Sequence, residues 1–332
     1  MARGLVRSVL VALVFAVAGC SDPEPEAAAP PPPAPTTVPP APTVDPAQVR
    51  ANELGSVPVL MYHQVLPAPA GEYDQTPAEF RAELERLYRE GYRPVTAADY
   101  ISGVLDIPAG THPVVLTFDD STLSQVTFGP DGNPAPDCAV GILEEFRSRY
   151  PDFGVTATFY VNNQPFGDNP RALAWLAEHG YEIGSHTANH PDLARLDSAG
   201  VQREFAENVH AIQAAVPGKP VRTMALPLGI SPADRSLAAA GSWAGTSYRF
   251  EAVMLVGANP APSPFGRVDP TGIPRIRSGK GEVPFDSAYW LDWLAANPTL
   301  RYTSDGNRAA ISFPNADTAE LSASWTTQAN PY

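Results

Sequence analysis

The order of apolar and amphipathic stretches along the chain predicts strands that alternate with helices. Apolar runs of strand length occupy Val57 to His63 and Pro113 to Phe118. Between them, Thr76 to Gly91 opens with a Thr-Pro-Ala-Glu capping box and carries apolar residues at helical spacing. Further predicted strands are Gly154 to Val161, Tyr181 to Ser185, Val221 to Leu226, Ala252 to Val256 and Ile273 to Ile276. Further predicted helices are Arg171 to His179, Ser198 to Val216, one capped by Ser231-Pro232-Ala233-Asp234, and Tyr289 to Ala296.

This alternation predicts an α/β fold in which helices surround a parallel sheet. Within one domain of about 270 residues, a closed or nearly closed barrel is favoured, and an open doubly wound sheet is the alternative. No glycine-rich dinucleotide fingerprint or P-loop follows a predicted strand, so a nucleotide cofactor is not expected.

The first twenty residues have the layout of an export signal. Arg3 and Arg7 precede an apolar run from Val9 to Ala18, which is too short to span a bilayer. The run ends in Val17-Ala18-Gly19-Cys20, which resembles the lipobox of bacterial lipoproteins. That resemblance implies that residues 1–20 form a signal peptide and that Cys20 becomes lipidated. The alternatives are an ordinary secretory signal with an incidental cysteine, or an uncleaved membrane anchor.

Residues 21–54 are predicted to form a disordered linker, because the sequence from Asp22 to about Pro46 is almost entirely Pro, Ala, Thr and Glu. The folded domain is then expected over residues 55–332, outside the cytoplasm and anchored through Cys20 to the cell membrane.

The net charge of −14 argues against nucleic acid as a partner, and no protein partner is inferred.

Two adjacent acids, Asp119 and Asp120, directly follow the apolar strand that ends at Phe118. Barrel active sites form at this carboxyl end of the strands, and an unpaired buried carboxylate is costly. The pair therefore indicates either a functional site or a loop that the acids cap.

His186 and His190 follow another predicted strand and favour the functional interpretation. If this stretch forms a helical turn, the spacing of four residues points both imidazoles the same way. Two histidines and one carboxylate can hold a divalent metal and leave coordination positions for water and substrate.

Three motifs follow successive strands in a fixed order. They are Thr117-Phe118-Asp119-Asp120, then His186-Thr187-Ala188-Asn189-His190, then Ala225-Leu226-Pro227-Leu228-Gly229. Together they resemble the polysaccharide deacetylase family, the NodB-like carbohydrate esterases of family 4. Val57-Pro58-Val59-Leu60-Met61-Tyr62-His63 and Ile273-Pro274-Arg275-Ile276 are similar to the branch that includes biofilm poly-N-acetylglucosamine deacetylases.

The resemblance implies a distorted (β/α) barrel and the hydrolysis of N-acetyl, less often O-acetyl, groups on a polysaccharide. It implies that Asp120, His186 and His190 bind the metal, that Asp119 is the catalytic base, and that the backbone N–H of Leu228 stabilises the oxyanion. Zinc is the expected ion, and Co²⁺, Ni²⁺ and Mn²⁺ fit the same ligands. Such an ion polarises the acetyl carbonyl and lowers the pKa of a water molecule, whose proton the base accepts.

The chain also departs from the family pattern. Ala225 stands where many members carry an arginine that orients the base, and Arg275 is a candidate substitute. Many members take their general acid from a late histidine, but no histidine follows His210. Either Asp119 returns the proton that it accepted, or His63 supplies one; the alternative for His63 is a structural histidine that lines the barrel mouth. A polymer-binding lipoprotein without activity and an O-acetyl esterase are therefore the alternative functions.

Overall fold

The computed structural model describes residues 44–279 and 282–332. The predicted signal peptide, Cys20 and most of the predicted linker lie outside these residues. The helices are α1 (Pro46–Val49), α2 (Pro77–Arg89), α3 (Ala97–Ser102), α4 (Ala139–Arg149), α5 (Pro170–Glu178), α6 (Ser198–Ala215) and α7 (Ser287–Ala296). The strands are β1 (Val59–Tyr62), β2 (Gln64–Val65), β3 (Asp74–Gln75), β4 (Tyr92–Val95), β5 (His112–Phe118), β6 (Thr158–Val161), β7 (Glu182–Ser185), β8 (Thr223–Ala225), β9 (Ala240–Trp243), β10 (Thr246–Arg249), β11 (Ala252–Met254), β12 (Ile276–Arg277), β13 (Ile311–Phe313) and β14 (Ala329–Pro331).

Eight parallel strands form the central sheet, in the order β11-β8-β7-β6-β5-β1-β12, with β4 paired to β5. The register pairs Tyr62 of β1 with Phe118 of β5 and Thr117 of β5 with Thr158 of β6. Because neighbouring strands are parallel, their carboxyl ends lie at one edge of the sheet. The loops that follow the strands therefore meet at that edge.

The segment around β12 completes the curve of the sheet. Ile273 bridges Met254 of β11, and its N–H donates to Val253 O (2.9 Å). Three residues later, Ile276 pairs with Leu60 of β1. One short segment thus joins β1 to β11, and the predicted distorted (β/α) barrel is confirmed.

Alternate residues of the strands face two separate cores. Val59, Val115 and Tyr160 belong to a cluster inside the barrel. Leu60 and Phe118 belong to the larger cluster beneath the surrounding helices. Both faces of the sheet are therefore buried, which explains why its strands are continuously apolar runs.

Part of the predicted linker belongs to the folded body. Asn52 forms a bridge with Thr303, and the buried carboxylate of Glu53 accepts a hydrogen bond from Ser312 N (2.8 Å). These contacts fasten Asn52 and Glu53 to the C-terminal part of the chain. Within residues 44–279 and 282–332, no helix has the length and apolarity needed to cross a membrane.

The helix predicted after Ser231-Pro232-Ala233-Asp234 is wrong. Asp234 does cap a turn, but the turn is a four-residue 3₁₀-helix, Arg235–Ala238, followed by the antiparallel hairpin of β9 and β10. Ala244 and Gly245 form the two-residue hairpin turn, both with positive φ (47° and 85°). This turn geometry and the β-forming residues beside it outweigh the capping signal.

Candidate active site

The side chains predicted to act together all lie at the carboxyl edge of the barrel. Asp119 and Asp120 follow β5, the segment 186–190 follows β7, and His63 follows β1. Arg275 lies just before β12 and inside the barrel. Residues distant in sequence therefore meet because the parallel strands bring their ends together.

Asp120, His186 and His190 form a group that could hold a metal ion, with ligand atoms all within 4.8 Å of one another. Asp120 Oδ1 lies 3.2 Å from His186 Nε2 and 3.3 Å from His190 Nε2. The Nδ1 atom of His186 lies 2.9 Å from Ala225 O, a carbonyl that can only accept. This contact places a proton on Nδ1, so it is Nε2 that carries the lone pair whenever the ring is neutral, as metal binding requires.

The predicted helical turn between the two histidines is wrong. Thr187 and His190 have left-handed backbone conformations, with φ of 64° and 52°. Thr187 Oγ1 accepts a hydrogen bond from His190 N (3.1 Å), and Asn189 donates through N and Nδ2 to the Glu204 carboxylate (2.9 Å each). A loop held by side-chain hydrogen bonds, rather than helical periodicity, therefore brings the imidazoles together.

Unlike Asp120, Asp119 forms a buried ion pair with Arg275. The guanidinium donates to both carboxylate oxygens, at 2.7 Å from Nη1 and 2.6 Å from Nη2. Its Nε donates to Leu255 O (2.8 Å), and Tyr160 lies below it, 5.7 Å from ring centroid to Cζ. Asp120 has a positive φ (72°), a backbone conformation that a residue with a Cβ seldom adopts.

These charges keep Asp119 ionised. Burial alone would raise its pKa, but the adjacent Arg275 guanidinium and His186 lower that pKa well below the ordinary aspartate value. The pKa of Asp120 is also lowered, because hydrogen bonding and charge from His186 outweigh the effect of burial. The site thus contains one carboxylate that could hold a cation together with the two histidines, and a second carboxylate that is fixed by an arginine.

His63 lies beside both carboxylates. Burial lowers its pKa, against the opposing attraction of Asp119 and Asp120. Its ring packs against Tyr73 at 4.8 Å between centroids. Its Nδ1 atom is buried and has no hydrogen-bond partner within the described part of the chain. His63 is therefore a neutral imidazole at the mouth of the barrel, and its Nδ1 atom is available for a hydrogen bond.

Leu228 lies at the rim of the site, in the short 3₁₀ segment Pro227–Gly229 that follows β8. Its backbone is left-handed (φ 58°, ψ 7°), and 60% of the residue is exposed. The side chain therefore packs against little, and the role predicted for Leu228 depends on its backbone N–H alone.

Contacts from three supporting residues were not predicted from the sequence. Gln125, fully buried, donates through Nε2 to His63 O and Asp119 O. Asn162 Nδ2 donates to Asp120 O (3.3 Å). The third residue is Ala225, whose carbonyl holds His186. Asn162 directly follows a predicted strand, which is a sequence signal, but the burial of Gln125 and a backbone carbonyl leave none.

Comparison with known families agrees with this architecture. Residues 106–244 match the family described as polysaccharide deacetylase, and this segment contains both aspartates and both histidines of the site. This segment is therefore similar to the polysaccharide deacetylase family.

Among curated proteins, the chain is 33% identical over 132 residues to a chitooligosaccharide deacetylase of Sinorhizobium fredii, covering 40% of this chain and 54% of that protein. It is 34% identical over 122 residues to a chitooligosaccharide deacetylase of Bradyrhizobium sp., covering 37% and 48%. The chain thus spans about half the length of these relatives.

Two solved structures share the fold. The deacetylase PplD of Streptococcus pyogenes, in complex with acetate, matches with a TM-score of 0.53 and 19% identity, over 71% of this chain and 97% of that one. A polysaccharide deacetylase of Bacillus cereus matches with a TM-score of 0.54 and 18% identity, over 71% and 68%.

The buried pair of Asp119 and Arg275 should contribute strongly to stability. Arg275→Gln leaves a buried carboxylate without its cation, so we expect the free energy of unfolding to fall by about 3–5 kcal/mol. Arg222→Gln is the matched control, because it breaks a partly exposed pair with Glu251 and should cost about 1 kcal/mol or less. Denaturant unfolding measures both. Equal losses in the two variants would contradict the importance of the buried pair.

Proposed function

We propose that the protein removes N-acetyl groups from a polysaccharide that contains N-acetylglucosamine, with the help of a divalent metal. The observation that carries this proposal is that two carboxylates adjacent in sequence have different partners. Asp120 approaches two imidazoles, while Asp119, its neighbour, is held by Arg275. A binding module has no need for the second, separately oriented acid. The chitooligosaccharide deacetylases that the chain resembles support the choice of substrate.

Asp120, His186 and His190 would hold the ion, and zinc suits one carboxylate and two imidazoles. The ion would supply Lewis acidity for the acetyl carbonyl and for a water molecule. The fit rests on the fixed tautomer of His186 and on the short distances from Asp120 to both rings.

Asp119 would accept the proton of the attacking water. Arg275 occupies one lone pair on each carboxylate oxygen, and a carboxylate offers about four acceptor positions, so each oxygen can still take a proton. The same guanidinium stabilises the anion, so a protonated Asp119 would release its proton readily to the leaving amine. We therefore propose that Asp119 acts first as base and then as acid. His63 would position substrate groups at the mouth of the barrel. The Leu228 N–H would stabilise the oxyanion.

Acetate release tests this function. The zinc-loaded protein should release acetate from chitooligosaccharides, peptidoglycan or poly-N-acetylglucosamine, and Asp119→Asn should lower kcat by about 10²–10⁴-fold because the base is lost. Asp106→Asn, an exposed acid that precedes β5 at the other end of the barrel, is the matched control and should keep full activity.

The outcomes separate the alternatives. Binding of these polymers without acetate release would support a catalytically silent glycan-binding protein. Release from acetylated xylan alone would support an O-acetyl esterase. A loss of activity in His63→Gln as large as in Asp119→Asn would show that His63, rather than Asp119, donates the proton.

We further propose that the protein is exported and anchored to the membrane by a lipid on Cys20. The support is sequence alone, namely the apolar run that ends in Val17-Ala18-Gly19-Cys20 and the Pro-rich stretch after it. Such an arrangement would place the barrel outside the cytoplasm, near a cell-wall polymer.

Replacement of the cysteine tests the anchor. Cys20→Ser removes the acylation site, so in a lipoprotein-processing bacterium the protein should move from the membrane fraction to the soluble fraction. Cys138→Ser is the control, because this buried free cysteine lies at the start of α4 and should leave the distribution unchanged. Retention of Cys20→Ser in the membrane fraction would contradict lipid anchoring.

A further inference from the structure

A cavity of about 450 Å³ lies on the surface between α6 and the β9–β10 hairpin. The hairpin contributes Trp243, Ala244 and Thr246 to its lining. The proposed reaction uses none of these residues. The cavity combines an aromatic ring with polar side chains, which is the composition of a site for a small organic ligand.

The hairpin holds Trp243 in a defined position. Trp243 pairs directly with Thr246 across the two-residue turn, in which Ala244 has a left-handed backbone that a residue with a Cβ seldom adopts. Ser242 N donates to Gln202 of α6 (3.2 Å), and Tyr248 packs on Phe205 of α6 at 5.2 Å between centroids. The indole is thus displayed on a braced hairpin and remains 39% exposed, although burial would be favourable for so large an apolar ring.

The opposite wall of the cavity is one face of α6. Ala206, Glu207, His210 and Ala211 line it, and their spacing of three and four residues places them side by side. The two alanines leave room above the helix. Glu207 offers a hydrogen-bond acceptor, and His210 offers a ring nitrogen at the same surface.

Asn163 connects this cavity to the metal group. It lines the cavity, and its backbone N–H donates to Ala188 O (3.1 Å), midway between His186 and His190. Asn208 Nδ2 donates to Asn163 Oδ1 (3.0 Å), which fixes the amide. Among the described residues, Nδ2 of Asn163 has no acceptor, so it can donate to a ligand. The cavity therefore begins beside the loop that carries two of the three candidate ligands.

We propose that this cavity is a subsite for a sugar ring of the same polysaccharide chain, at some distance from the unit that is deacetylated. The proposal rests on the proposed function, because it assigns the ring to that substrate. A pyranose presents a face of C–H groups, which would pack on Trp243, and a rim of hydroxyl groups, which would bond to Asn163 and Glu207. Trp243 then acts as a residue that determines which chain lengths are used well.

Substrate length provides the test. With N-acetylglucosamine pentamer as substrate, Trp243→Ala should raise KM about tenfold or more and leave kcat unchanged, because a remote ring is held less tightly. With the dimer, whose two rings would be the deacetylated unit and its direct neighbour, the variant should match the wild type. Trp243→Tyr, which keeps an aromatic face, should recover most of the loss. Leu300→Ala, an exposed apolar residue in a different part of the fold, is the control and should change neither constant.

Binding separates failure of the subsite from failure of the proposed function. Calorimetry with the pentamer is done on Asp119→Asn protein, with and without Trp243→Ala. Weaker binding by the double variant supports the subsite even if no form of the protein releases acetate. Equal binding by the two proteins, no binding by either, or an unchanged KM for the pentamer would overturn it.

Discussion

The buried pair between Arg275 and Asp119 is the interaction on which the site depends. Arg275 lies in the short segment that joins β11 to β1, so the residues that complete the barrel also hold Asp119. Arg275 is completely buried, and Asp119 is 1% exposed, so neither charge would be tolerable alone. The arginine fixes the orientation and the ionised state of Asp119, and it leaves Asp120 free to face the two histidines.

The sequence predicted most of the barrel, because parallel strands buried on both faces read as continuous apolar runs. Strand ends and helix ends differed by a few residues. The error after Ser231 arose where a good helix cap preceded a turn whose two residues both have positive φ. The bridge of Ile273 to Met254 was not predictable, because a single-residue bridge leaves no periodic pattern.

For the site, the sequence indicated the residues but not how they are held. Paired acids after a strand and two nearby histidines are detectable because charged and titratable groups are unusual beside buried strands. The spacing of the histidines suggested a helix, whereas hydrogen bonds from Asn189 to Glu204 and between Thr187 and His190 shape a loop. Support from Gln125 and from the Ala225 carbonyl depends on tertiary contacts, which the sequence alone does not contain. The metal-binding and catalytic roles stay proposals.

Zinc titration of the metal-free protein by calorimetry tests the central claim most directly, namely that one carboxylate binds the cation and its neighbour does not. We expect the wild type to bind one zinc ion per chain. Asp120→Asn should weaken zinc binding about 100-fold or more because a charged ligand is lost. Asp119→Asn should bind zinc within about tenfold of the wild type, because the side chain contacts Arg275 instead. Equal loss of zinc affinity in both variants, or no zinc binding by the wild type, would contradict the account.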